Sequence, residues 1–530
     1  MLNNLKVKKV IFRIAIFVVF KISMCTYPAK ALTCAVTSYS GHSPFKFPLL
    51  HTGVRGTPAN LMWRILVFGN FPRGRLNNAN GYCGFSSKFL LLQLFHEINA
   101  KVMQLDKLKV SAPEVLRMIP DDLLSKLASD TKVDYCAKVL KGERMFYLLV
   151  YALLCADRLS QRKLEAVFAS QQFKSLFNFS VDMKVTRSSI STRLSTINLD
   201  FFEKAYDLLY DRLSSLYTEK EISNMYLVRI DSSMVAETCN KLKEGFTVGR
   251  KAEGRDDRRQ IKYTMAYDGF AAKLAEVLTE PTYLSEDMAM PKVLDGLIKK
   301  DKNHRNVYVM DRGFMALHNY KEVSRADAVF VGRINTNRRM KVVSSLMTDE
   351  TDRNLGKLEL TDDVIVHLYN KKGEEDPQDF RVVKARFKEP RNTARKSPRG
   401  CNRKKTEQEV FFITNVTNEK GKLQLSPQQV AEAYRRRWDI EVFYRFLKQE
   451  LSFSHFLSTS DNGIKVILYM TLITAMLIMI YKRLNGIGYS DAKFCFKLQL
   501  EDWIIDLNVA IKTSGPEYKK AMKAVRNRIP

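Results

Sequence analysis

The chain is 530 residues long and 45% apolar, an ordinary globular composition with room for about two to four domains. Its 86 Lys and Arg against 57 Asp and Glu leave a formal charge of +29, an excess that favours a polyanionic partner, nucleic acid first. The eight cysteines are scattered without a C-x-x-C pair, which argues against a zinc frame or a disulfide framework and fits a reducing cytoplasm.

The chain begins with an oddity: no Asp or Glu occurs before Glu97. Val10 to Phe20 is an apolar run after a basic start, like a secretory signal, but Arg13 interrupts it and Lys21 ends it. Residues 1–95 therefore read as a basic, acid-free extension: an arm, a signal-like segment, or the product of a mis-chosen start. The last is preferred, with Met103 as the alternative start. Residues 96–220 are expected to form a helical DNA-binding module. PDDLLSKLASDT, ERMFYLLVYALLCADRL and DFFEKAYDLLYDRL all carry apolar residues at i, i+3, i+4 spacing. Between them VTRSSISTRLSTI offers Thr186 or Ser188 as a cap for a short helix bearing Arg187 and Arg193, either a helix-turn-helix reader of DNA or a connector.

Residues 221–345 change character. MYLVRID, GFTVGRK, QIKYTMAYDGF, NVYVMD and AVFVGRI are strand-like, and DMAMPKVLDGLIKK and ALHNYKEVSRA are helical, which predicts a mixed α/β sheet. Residues 346–425 hold KLELTDDVIVHLY, DFRVVKARF and EVFFITNV with almost no helical periodicity, a β-rich insertion. Residues 426–490 return to the core through SPQQVAEAYRRRW, with Ser426 as the expected N-cap. Val466 to Tyr481 is apolar but shorter than the roughly 20 residues of a membrane span, so a buried helix is expected. Residues 491–530 read as a basic tail.

Two aspartates follow apolar strands: Asp231 after YLVRI and Asp311 after VYVM, the latter with Gly313 to allow a tight exit. Such residues also cap helices or start turns. A third acid, Glu441, sits in AYRRRWDIEVFYRFLKQEL, read as one amphipathic helix. On its wheel Tyr434, Arg437, Glu441 and Lys448 fall within about a sixth of a turn, with Arg445 on the same face. That face is suited to phosphate, or is a solvated face with a Glu441–Arg445 pair. Asp439 and Glu450 intrude on the apolar side. Three acids gathered on one sheet domain repel one another, a cost that hard divalent cations relieve, and two Mg²⁺ ions there can drive in-line attack on phosphorus.

Tyr434, Arg437, Glu441 and Lys448 stand as Y-x2-R-x3-E-x6-K. With R-I-D-S-S around Asp231, D-R-G-F from Asp311 and a β insertion before the Glu helix, the chain resembles the bacterial DDE transposases of insertion-sequence family 4, over roughly Ile119 to Lys482. The resemblance implies a ribonuclease H-like core in which Asp231, Asp311 and Glu441 are the catalytic, metal-binding triad for Mg²⁺, with Mn²⁺ as a substitute. It implies that Tyr434, Arg437, Lys448 and Arg445 contact double-stranded DNA at the element ends, that a homodimer forms the synaptic complex, and that the protein works on DNA in a bacterial cytoplasm, away from membranes. Some relatives stack a flipped base on a tryptophan of the β insertion; this insertion has none, and Trp438 is expected to pack within its helix bundle instead. The alternatives are an inactive transposase-derived DNA-binding protein, a ribonuclease H-like nuclease without strand transfer, and an exported or anchored protein using the amino-terminal apolar run.

Overall fold

The computed structural model describes residues 108–513 apart from 121, 156–158, 178, 181, 218, 238–240, 243, 248–257, 315, 395–403 and 421. The amino-terminal extension, Met103, the basic loop before the last insertion strand and the final residues of the chain lie outside the described residues.

Helices come first: α1 (Ala112–Leu116), α2 (Leu123–Thr131), α3 (Gly142–Cys155), α4 (Gln161–Ala169), α5 (Gln171–Leu176), α6 (Arg187–Thr196) and α7 (Asp200–Ser214). Four of the starts follow from side chains that satisfy orphan amides. Ser111 and Glu114 form a capping box on α1, and Ser160, Ser170 and Thr186 cap α4, α5 and α6. Thr186, one of the two expected caps, accepts from the Ser189 amide. Arg193 of α6 is used internally: its Nε and Nη2 donate to the Leu140 and Val133 carbonyls at 2.9 and 2.5 Å. Arg187, by contrast, is exposed.

The sheet strands are β1 (Tyr226–Ala236), β2 (Phe246–Thr247), β3 (Arg259–Tyr267) and β4 (Ala272–Leu278). Next come α8 (Glu286–Lys300), β5 (Asn306–Met310), α9 (Leu317–Arg325) and β6 (Val329–Ile334). The insertion supplies β7 (Met340–Ser345), β8 (Asn354–Leu355), β9 (Leu358–Tyr369), β10 (Glu375–Ala394) and β11 (Lys404–Thr414). After it come α10 (Pro427–Arg435), α11 (Trp438–Glu450), α12 (Asp461–Asn485) and α13 (Tyr489–Thr513).

The strand order is β2-β3-β1-β5-β6-β11-β10-β9-β7, with β4 on β3 and β8 on β9. β1, β5 and β6 run parallel at its centre, flanked by antiparallel neighbours. A helical module followed by such a mixed sheet is a ribonuclease H-like arrangement, as expected. Central parallel strands are covered on both faces and so read as continuous apolar runs. Val228, Ile230, Tyr308, Met310 and Phe330 pack with Met290, Val293 and Tyr320 of α8 and α9. The alternate residues Leu227, Val307, Val309 and Val331 pack with Val430, Ala431 and Ala433 of α10. The insertion is not a separate sheet, because β11 pairs with β6 and extends the core.

A buried pair ties the insertion to the start of α10. Arg381 of β10 makes a bidentate contact with Asp363 of β9 at 2.8 and 2.7 Å, and its Nη1 donates to Leu425 O at 2.6 Å. Leu425 precedes Ser426, which caps α10 in a box with Gln429. The insertion thereby holds the start of the segment that carries Tyr434 and Arg437.

α12 is long and apolar enough to cross a membrane by length and composition, but 83% of its most apolar window is buried inside the protein. It lies against α7, α3 and α6, so the late helix completes the core of the early module. Part of the expected basic tail is α13, in which Ala492, Cys495 and Phe496 are buried.

Candidate active site

The site begins with strand register. β1 pairs in parallel with β5 up to Ile230 opposite Met310, and the next residue of each strand segment is an aspartate. Asp231 and Asp311 are therefore carried side by side. Asp231 is not at the end of its strand as expected: β1 continues to Ala236, and Asp231 lies opposite Met265 of β3. What ends there is the parallel pairing. Asp311 does follow the last residue of β5.

The third acid comes from α11. The expected single helix from Ala433 to Leu451 is broken: α10 ends at Arg435 and α11 starts at Trp438. Amides of Arg437, Asp439 and Ile440 bond three residues back at this junction, a tightened turn. Arg229 of β1, fully buried, explains the break. Its guanidinium meets Glu221 at 2.6 Å and Asp439 at 3.1 Å, and its Nε donates to the Arg436 carbonyl at 3.2 Å. Arg436 in turn pairs with Glu221 at 2.8 Å and Asp439 at 2.9 Å. The acid that intruded on the apolar side of the helix, Asp439, is thus part of a closed ionic network that clamps the junction to the sheet. Tyr444 adds a second clamp, its hydroxyl shared between the Asp231 and Tyr263 carbonyls at 3.0 and 2.9 Å.

The clamps aim Arg437 at all three acids. Its Nη1 is 3.5 Å from Asp231 Oδ2, its Nε is 3.7 Å from Asp311 Oδ1, and its Nη2 pairs with Glu441 Oε1. The Glu441–Arg445 pair weighed as the alternative is replaced by this upstream one, and Arg445 is exposed. Tyr434 donates to Asp311 Oδ1 at 3.1 Å, and Lys448 Nζ to Ser233 Oγ at 2.5 Å. Burial raises the Asp231 carboxyl to about 7, Arg437 and the Ser232 amide opposing and the Asp311 and Glu286 charges adding. Burial likewise lowers the Lys448 amine below its ordinary value, with Asp231 opposing.

Arg437 is shared among three carboxylates, with Lys448 beside Asp231 and Arg333 beside Asp311, and clustered carboxylate oxygens are the donors a hard divalent cation takes. Chemically the donor set fits such an ion. Among the described residues, however, no group of three or more His, Cys, Asp or Glu is gathered closely enough to hold a metal. The Arg437 guanidinium lies between the three acids.

Sequence reasoning missed a fourth acid. Glu286, at the start of α8, accepts from Ser232 Oγ at 3.0 Å and meets Lys262 Nζ at 2.8 Å. It also explains Gly313, whose φ is outside the left-handed region: a Cβ there would come within 2.8 Å of Glu286 Cγ. The glycine serves close approach rather than a tight exit. The S-E-D run before an apolar helix was the available signal, but nothing local says that it meets β1. The expectation for Trp438 is corrected too. It is 53% exposed, because the broken helix turns its first residue outward.

Residues 223–477 match the family model described as a transposase DDE domain. A putative transposase, y4zB, of Sinorhizobium fredii is 26% identical over 189 residues, 35% of this chain and 46% of the relative. A putative transposase for insertion sequence element IS4SA of Synechocystis is 24% identical over 211 residues, 38% of this chain and 51% of the relative. The chain thus matches about half the length of these curated relatives. Among solved structures, a piggyBac transposase synaptic complex with hairpin DNA aligns over 79% of this chain and 85% of that one. At 11% identity and a TM-score of 0.38 that likeness carries no argument.

Proposed function

We propose, from the premise that this chain is a DDE-type transposase family protein consistent with the insertion-sequence family 4 enzymes, that it binds the ends of an insertion sequence, cleaves them and joins them to target DNA. The observation that carries the reading is the convergence of Asp231, Asp311 and Glu441, from three separate elements, on one guanidinium.

In this reading the three carboxylates hold Mg²⁺, two ions in all, with Mn²⁺ able to substitute. The ions would activate a water or a 3′-hydroxyl and stabilise the leaving oxygen of an in-line displacement. Every other part is played by the chain. Arg437 and Lys448 supply positive charge beside the acids, and Arg445 supplies it on the exposed side of α11; all three are suited to holding DNA phosphates. The Tyr434 hydroxyl orients the Asp311 carboxylate and adds a contact to DNA. Tyr444 and the Arg229 network keep Glu441 at a fixed distance from β1, so alignment does not have to be rebuilt for each substrate. Ser232 and Lys262 hold Glu286 beside Asp231. Two chains acting on paired ends in the bacterial cytoplasm, without a membrane, complete the proposal.

The test uses duplexes carrying the inverted repeats that bracket the gene. End cleavage and joining should require divalent metal and disappear in Asp231→Ala, Asp311→Ala and Glu441→Ala, while end binding persists. Full cleavage by any one variant removes that residue from the triad, and cleavage without joining favours a nuclease.

A further inference from the structure

Arg437 has two partners to choose from. In the DNA-free chain its side chain is only 11% exposed, and its guanidinium is engaged by Asp231, Asp311 and Glu441 together. It cannot leave by losing its proton, since a guanidinium stays charged in proteins. It leaves only by moving, and its planar fork matches a phosphodiester as well as a carboxylate. Of the cations around it, Arg436 is held by Glu221 and Asp439 and the Lys448 amine bonds Ser233, while Arg333 stands near Asp311.

We propose that Arg437 is an interlock: in the free protein its guanidinium stands in for the cation among the three carboxylates, and an arriving DNA phosphodiester draws it away, so that the acids load metal only with a strand in the site. The inference rests on the reading of the acids as a metal site. A divalent ion arriving alone must displace Arg437 and leave it without a partner. A phosphate arriving alone must break the same pairs and leave three acids facing one another. Arriving together, each supplies what the other's arrival removes, so the two bindings are positively coupled, and by linkage the coupling is the same in both directions. A protein built this way does not carry a loaded nuclease site while it is off DNA.

The experiment measures Mn²⁺ binding to the full chain by the loss of the free-ion magnetic resonance signal, a readout of binding rather than of cleavage. Without DNA, Arg437→Gln should bind Mn²⁺ roughly ten- to a hundredfold more tightly than the wild type, the ordinary size of such couplings. Adding an uncleaved duplex of the terminal inverted repeat should raise the wild-type affinity by a similar factor and leave Arg437→Gln unchanged. Duplex alone, and duplex with Asp231→Asn, give the background. The wild-type arm needs no variant to fold: equal Mn²⁺ affinity with and without bound duplex overturns the interlock. Equal binding by wild type and Arg437→Gln without DNA also overturns it and leaves the metal site standing. Mn²⁺ binding by neither protein, with or without duplex, overturns the metal reading itself and the interlock with it.

Discussion

Arg436 and Arg437 adjoin one another at the break between α10 and α11, yet each joins a different set of acids. Arg436 and the buried Arg229 face two carboxylates, Glu221 and Asp439, so the charges balance and every partner is fixed. Arg437 is shared among three, Asp231, Asp311 and Glu441. Buried charges persist when they are paired and hydrogen-bonded, and the first network meets that condition by itself. The second does not, and an arrangement that leaves acids under-compensated is one that a ligand can complete. Two similar-looking arginine clusters one residue apart thus divide into a clamp and a candidate site.

Substitutions can separate the two. The largest effects should come from single changes of the acids: Asp231→Ala, Asp311→Ala or Glu441→Ala should lower metal-dependent end cleavage by roughly a thousandfold or more, the several kcal/mol that metal chemistry supplies. Urea melts of the same variants should show no comparable loss of stability. Arg229→Ala should do the reverse, destabilising the fold by about 3–5 kcal/mol, as when one partner of a buried ionic set is removed. Denaturant titration followed by far-ultraviolet circular dichroism measures it. If Arg229→Ala melts like the wild type, the balanced network is not a clamp.

Smaller effects test the regions outside the acids. Lys448→Ala and Arg445→Ala should each lower the slope of log affinity against log salt by about one unit if the side chain holds a phosphate. Unchanged slopes would assign that face to a protein partner. In the insertion, His367 lies between Glu375 and Asp379 at 2.7 and 3.0 Å, and the hydrogen bond to Glu375 holds its pKa above the ordinary 6.5, with Asp379 adding. A raised imidazole stabilises the fold below its unfolded pKa and loses that contribution as pH climbs through the folded one. The melting temperature should therefore decline slightly on going from pH 6 to pH 8, and His367→Gln should flatten the decline. Trp438→Ala should matter least to stability, within about 0.5 kcal/mol, because the ring is largely in solvent.

Much of the fold was legible because its signals are local. Apolar runs such as YLVRI and NVYVM mark strands that are buried on both faces, Ser426 and Thr186 announce helix starts, and an absence of helical period marks the insertion. The order of the acids along the chain and the Y-R-E-K spacing were legible for the same reason. The helix break was not, since no Gly or Pro marks it, and the wheel through Tyr434, Arg437 and Glu441 reads as continuous.

By itself the sequence determined which residue types were available and roughly which elements would carry them. Only the tertiary structure decided who meets whom. Asp231 reaches Arg437 across 206 positions, Arg229 reaches Asp439 across 210, and Glu286 reaches Ser232 across 54. Whether an arginine becomes a clamp or the centre of a site depends on how many acids the folded sheet brings to it, a number set by register between distant strands and by where a helix is forced to turn.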